Sequence, residues 1–114
     1  MPRIRTVKPS FWSDEAVANL SRDARLLLLG LISFADDDGR FLASVTAING
    51  YVYPHDDIPP ARIRRWLNEI EQAGIVHLYT ANAHQYGVLP NYRRHQRISH
   101  PQVSTFPPPN GQVH

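Results

Sequence analysis

Residues 58–74 read IPPARIRRWLNEIEQAG, and the spacing of their apolar side chains decides how the rest of the chain is read. Ile63, Trp66, Leu67 and Ile70 recur at three- and four-residue steps, which predicts a helix with one buried stripe. Pro60 suits a first helical position, because the amide it lacks would have no helical partner there. Ile58 and Ile63 are spaced as a hydrophobic staple, and Gly74 supplies a left-handed stop. At about 100° per residue, Ala61, Arg65, Asn68 and Gln72 point away from the stripe, with Arg62 and Arg64 on its shoulders. Arginines and an amide on the free face are the chemistry that reads a DNA groove. Cations are also the ordinary covering of a solvated helix. The helix alone leaves both readings open.

Downstream, IVHLY and QYGVL are β-rich runs, and Asn82 between them tolerates a turn's positive φ, so residues 75–89 predict a hairpin. Residues 91–97, NYRRHQR, are expected to form a basic helical turn with Arg93, Arg94 and Arg97. Upstream, Ser44 caps a short helix with Val45, Ile48 and Val52 inward, ending at Pro54. Residues 40–42 predict a short strand. Residues 22–35 form the expected scaffold helix, with Ser21 as its cap. There Ala24, Leu27, Leu28, Leu31 and Ala35 make one stripe, and Leu26, Leu29, Ile32 and Phe34 widen it towards full burial. Gly30 is expected to mark a close helix approach. Before that helix, Ser13 with Asp14 and Glu15 reads as the start of a short helix with Val17 and Leu20 inward. Residues 1–12 read as an extended arm anchored by Phe11 and Trp12. Residues 98–114 carry four prolines and no periodicity, as a tail or the start of a linker. The expected organisation is therefore an arm at 1–12, a folded domain at 13–97 and a Pro-rich tail at 98–114.

A chain of 114 residues with 42% hydrophobic and 19% charged residues is a single domain able to bury a core. It has no cysteine, which excludes disulfides and thiolate metal sites. The longest apolar run, residues 26–32, is far shorter than a membrane span, and no signal peptide is recognisable, so a cytoplasmic protein without membrane contact is expected. Net charge is only +2, but it is unevenly placed. Residues 1–12 carry Arg3, Arg5 and Lys8 and no acid. Residues 13–61 carry eight acids against three arginines, and residues 62–114 six arginines against two glutamates. Such asymmetry suits a molecule that turns one face to a polyanion.

Catalysis and metal find little support. The ADDDGRF turn lacks the ligands a calcium loop needs at its fifth and twelfth positions, which here are Arg40 and Ala47. His55, Asp56 and Asp57 with the distant histidines lack metalloprotease spacing, and there is no phosphate loop or nucleophile elbow. No cofactor, no metal and no enzymatic activity are expected.

The order helix, short strand, helix, turn, helix, hairpin is that of a winged helix-turn-helix: a mainly α domain with a small β-hairpin. Four stretches go further: RTVKPSFWSDEAVANLSRDARLLLLGLISFADDDGRF, YVYPHDDI, LNEIEQAGIV and LPNYRRHQRISHP. They resemble phage and prophage winged helix-turn-helix DNA-binding proteins of the replication-initiation, or replisome-organiser, type. The resemblance spans roughly residues 3–101 and rests most on LSRDARLL, ADDDGR and NYRRHQ, none of them a catalytic signature. It implies a recognition helix at 60–73, a wing at 75–89 and a basic segment at 93–97.

On that reading Arg62, Arg64, Arg65 and Asn68 meet base edges or phosphates of double-stranded DNA. Ser44 and Thr46 offer phosphate contacts from the preceding helix, while Arg93, Arg94, Arg97, Arg3, Arg5 and Lys8 hold the backbone. The acidic residues Asp36, Asp37, Asp38, Asp56 and Asp57 should face away from DNA, as a platform for a replicative helicase or its loader. A homodimer through the first helices is a further expectation. Two departures count against the resemblance. The wing tip, residues 80–84, has no fixed cation, and the relatives often continue into a second region, so the chain reads as a fragment or a shortened member. A protein-interaction module or a phage transcription regulator are the alternatives.

Overall fold

In the computed structural model, residues 3–109 are described. The longest helices, α3 (Arg22–Phe34) and α5 (Pro60–Gln72), pack together and against α4 (Val45–Val52). Each starts as its local sequence requires. The Ser21 hydroxyl accepts the Ala24 N–H and the Ser44 hydroxyl that of Ala47, both at 3.2 Å. Helix α5 opens on Pro60 and closes on Gly74 at φ +78°. The Ile75 and Gly74 amides reach the Ile70 and Glu71 carbonyls there, the paired bonds of a Schellman close. Ile63, Trp66, Leu67 and Ile70 are buried, as the stripe predicts, and meet Leu27, Leu28 and Leu31 in one core.

Strand β1 (Arg40–Leu42) joins the hairpin of β2 (His77–Ala81) and β3 (His84–Val88) in an antiparallel sheet ordered β1-β3-β2. Phe41 lies opposite Gly87, where a Cβ would fall 2.3 Å from the Phe41 ring, so the glycine makes room for the aromatic to enter the core. The hairpin turns on Asn82 and Ala83 at φ 52° and 67°, the two left-handed residues of a tight turn matched to strand twist. The whole is a mixed, mostly helical α/β domain with a three-stranded sheet, and no described helix is long and apolar enough to cross a membrane.

Four expectations need correction. The arm is only partly extended: α1 (Ser10–Ser13) forms within it, and Asp14, not Ser13, caps α2 (Glu15–Ala18) by accepting the Val17 N–H at 3.1 Å. The scaffold helix is not buried all round, since Leu26 is 55% exposed and Phe34 is also open to solvent. Both lie off the Leu27–Leu31 stripe, and only α4 approaches that side. Its Val52 sits so close to Gly30 that a Cβ there would clash at 2.7 Å, and Tyr51 meets the Phe34 ring at 5.1 Å. Gly30 thus marks a helix approach, as anticipated.

The third correction concerns residues 98–109, expected as a tail. They return across the outer face of the sheet, where Phe106 packs on Tyr86. The Tyr79 hydroxyl and Arg40 donate to the Pro107 and Phe106 carbonyls, at 2.7 and 2.9 Å. The fourth is the acidic turn, which is not an open platform. Asp37 is 4% exposed and accepts Arg5 and the Gln102 N–H, both at 2.9 Å, with Arg3 at 3.7 Å. Asp38 accepts Arg93 at 2.7 Å and the Ser104 N–H at 3.3 Å. Asp36 accepts its own turn's amides from Asp38 and Arg40 and the Ser104 hydroxyl.

The Gln102 amide holds the Asp37 carboxyl below the ordinary aspartate value of 3.8; Arg5 and Arg3 add to this, while burial opposes it. A carboxyl depressed in the folded state stabilises above its unfolded value, and that contribution is lost as pH falls through the folded one. Urea midpoints should therefore drop on acidification below about pH 4. Asp37→Asn should cost about 3–5 kcal/mol at neutral pH, by stranding Arg5, and should flatten that acid dependence. Ala83→Gly should stabilise the domain by about 1 kcal/mol in the same assay, because alanine resists the left-handed region that glycine accepts.

Candidate nucleic-acid interface

The free side of α5 is set by what its buried side must satisfy. With the stripe indoors, Arg62, Arg64, Arg65 and Asn68 are all exposed. Among the described residues, none of the three arginines has an ion-pair or hydrogen-bond partner for its side chain. The acids of α5 behave differently. Glu69 turns to the start of α3, accepting the Ser21 N–H at 2.9 Å and its hydroxyl at 2.8 Å. Glu71 accepts the Leu78 N–H at 3.2 Å, tying the end of α5 to the hairpin. Both carboxylates thus orient the helix against its neighbours, leaving the outward cations uncompensated along its N-terminal half. Sequence reasoning missed these two roles. The only available signal was that Glu69 and Glu71 flank the buried Ile70.

Between α5 and the hairpin lies an open cleft of about 670 Å³. Arg64, Arg65 and Asn68 line its helix side, and Thr80 and Gln85 its hairpin side. Ala43 and Val45, on either side of the capping Ser44, complete one edge, so the start of α4 belongs to the same surface. The Ser44 hydroxyl is already an acceptor in its cap, with its own proton left to donate, and Thr46 is exposed. A concave strip with donors on three elements and no cation at the hairpin tip suits an extended anion seated against the helix. Arg62 lies outside the cleft lining, on the outer shoulder.

The remaining expected cations do not converge here. Arg5 is inside the protein, bonded to Asp37 and the Ala35 carbonyl, with its guanidinium over the Tyr92 ring at 5.2 Å. Arg5 is therefore a structural residue, and the expectation that it grips a DNA backbone is corrected. Arg93 is exposed but committed to Asp38 and the Asp37 carbonyl. Arg3 donates to the Ser99 and His100 carbonyls, at 2.6 and 3.0 Å. Lys8, Arg94 and Arg97 are exposed, yet none lines the α5 cleft.

Elsewhere, burial raises the hydroxyl pKa of Tyr92, which donates to the Ile32 carbonyl at 2.7 Å, to about 12, despite the opposing charge of Arg5. Burial, with Asp23 and Asp56 nearby, does the same to Tyr53. Among the described residues, no three His, Asp or Glu side chains gather in a way that could hold a metal ion. Comparison of the chain with protein families, curated proteins and solved structures finds no match.

Because Arg64 and Arg65 touch nothing in the core, their joint change to alanine should leave the thermal midpoint within about 2–4 °C of the parent. Leu67→Ala, one helical step away but buried, should cost about 2–5 kcal/mol by urea unfolding. If the arginine pair proved the more damaging to stability, the assignment of helix faces would be overturned.

Proposed function

We propose that this chain is a non-catalytic double-stranded DNA-binding protein of winged helix-turn-helix type, with α5 as its recognition helix and the β2–β3 hairpin as its wing. The observation that carries the reading is the partition of charge on α5: both glutamates are bonded inward, and three arginines and an asparagine face out. In this arrangement the N-terminal half of α5 enters the major groove, where arginine pairs with guanine and asparagine with adenine. The cleft beside it takes one phosphate strand, with Ser44, Thr46, Thr80 and Gln85 as uncharged donors. Arg94, Arg97 and Lys8 are left as outlying cations that add affinity without sequence preference.

The resemblance to phage replication-initiation proteins carries the reading further, to action at an origin in a bacterial cytoplasm. A helicase or loader contact through acidic residues then falls to the exposed Asp56 and Asp57, since Asp36–Asp38 are engaged internally. A second reading, a protein-interaction module built on the same fold, is favoured by the absence of any cation on residues 80–83 at the wing tip.

Titration of mixed-sequence duplex DNA across salt separates the two. A binder making about six phosphate contacts should lose affinity with a log–log slope near −5, and Arg64→Ala with Arg65→Ala should make that slope shallower by about 2. No binding at low salt, or a flat dependence, would reject the DNA reading in favour of the interaction module.

A further inference from the structure

A second concave site lies away from α5, and it shares no lining residue with the cleft described above. It opens between the N-terminal arm, α1, α3 and the base of the hairpin, with a volume of about 250 Å³. Its floor is apolar: Leu28 and Ile32 from α3, Ile75 before the hairpin and Leu89 after it. Its mouth carries two exposed nitrogen bases, Lys8 and His95. Next to it stand apolar side chains that the fold leaves uncovered. Val7 is 43% exposed, and Trp12 is 54% exposed, edge-on to the Phe11 ring that lines the site, at 5.0 Å.

We infer that this site docks an acidic peptide segment of a partner protein, seating one bulky apolar side chain in the cavity and its carboxylates on the rim. Size decides the first half. The space is just below the range of about 300–1,000 Å³ usual for a small-molecule pocket, and suits one aromatic or branched side chain. Charge decides the second. Lys8, Arg94 and Arg97 have no carboxylate partner among the described residues. Asp14, the one acid in the lining, is engaged as the cap of α2, accepting the Val17 N–H. A basic rim around an apolar floor repels a cationic peptide and attracts an anionic one. Duplex DNA satisfies the rim but brings no apolar knob to the floor, and would leave Val7 and Trp12 exposed. A neutral apolar peptide has the opposite defect. The buried apolar anchor supplies the affinity, and the rim supplies orientation and encounter rate.

The inference uses no residue of α5, so it stands or falls apart from the DNA-binding proposal. The test is a titration of the full chain with the peptide Asp-Asp-Asp-Leu-Phe, followed by tryptophan emission. Trp66 is buried and gives a constant background, so a saturable blue shift reports Trp12. Lys8→Glu should weaken binding about tenfold or more while leaving the thermal midpoint unchanged. A peptide with alanines for Leu-Phe should not saturate. Trp12→Phe should abolish the emission change and retain a calorimetric binding heat. The inference is overturned if no shift is seen up to millimolar peptide, or if the alanine peptide binds equally well. Displacement of the peptide by a short duplex, with Lys8→Glu weakening both, would reassign the surface to nucleic acid and also overturn it.

Discussion

The carboxylate of Asp37 sits almost fully inside the protein and meets both ends of the chain at once. Arg5 from the arm and the amide of Gln102 from the returning C-terminal segment share its two oxygens, with Arg3 close by. A buried carboxylate without such partners would cost several kcal/mol, so its position is tenable only while both segments are docked. Asp38 and Asp36 extend the same arrangement to Arg93 and Ser104. The turn that follows α3 therefore organises the periphery of a domain whose centre is organised by apolar stripes. The two systems meet at Tyr92, whose ring lies under Arg5 and whose hydroxyl bonds to the last turn of α3.

This division of labour explains where free positive charge ends up. Among the cations near the termini, Arg3, Arg5 and Arg93 are drawn into the acidic turn, while Lys8, Arg94 and Arg97 are not. On α5 the reverse accounting holds for acids, since Glu69 and Glu71 are bonded inward and the arginines face out. A net charge of +2 thus becomes two separate positive surfaces, one flat against a helix and one ringing an apolar hollow. They differ in what a ligand must bring: phosphates in a row for the first, a greasy side chain among carboxylates for the second.

What could be read from the sequence was local. The Ser21 and Ser44 caps, the Gly74 stop, the Asn82 turn and the Ile63–Ile70 stripe each depend on residues within about one or two helical turns, and periodicity encodes them directly. The rotation of α5, and hence the exposure of Arg65 and Asn68, followed from the same stripe. The ion pairs were not legible, because Arg5 and Asp37 are 32 residues apart and Arg93 and Asp38 are 55 apart. Opposite signs at such distances admit many pairings, and only the packed fold selects one. The basic ends and acidic middle were nevertheless visible. They read as one face for a polyanion, whereas the structure matches several of those charges to each other. The burial of Phe106 on Tyr86 escaped for a related reason: proline-rich sequence has no period, so its docking leaves no pattern.

Mooring the arm to the acidic turn also sets how the molecule would carry mechanical load. A pull on residue 3 reaches Ser99, His100 and Asp37 first, and from there the end of α3. None of those links passes through α5 or the hairpin tip. Strain introduced at that terminus, by a surface attachment or a neighbouring domain in tow, would be absorbed by a clasp of charged groups before it could tilt the arginine-bearing helix.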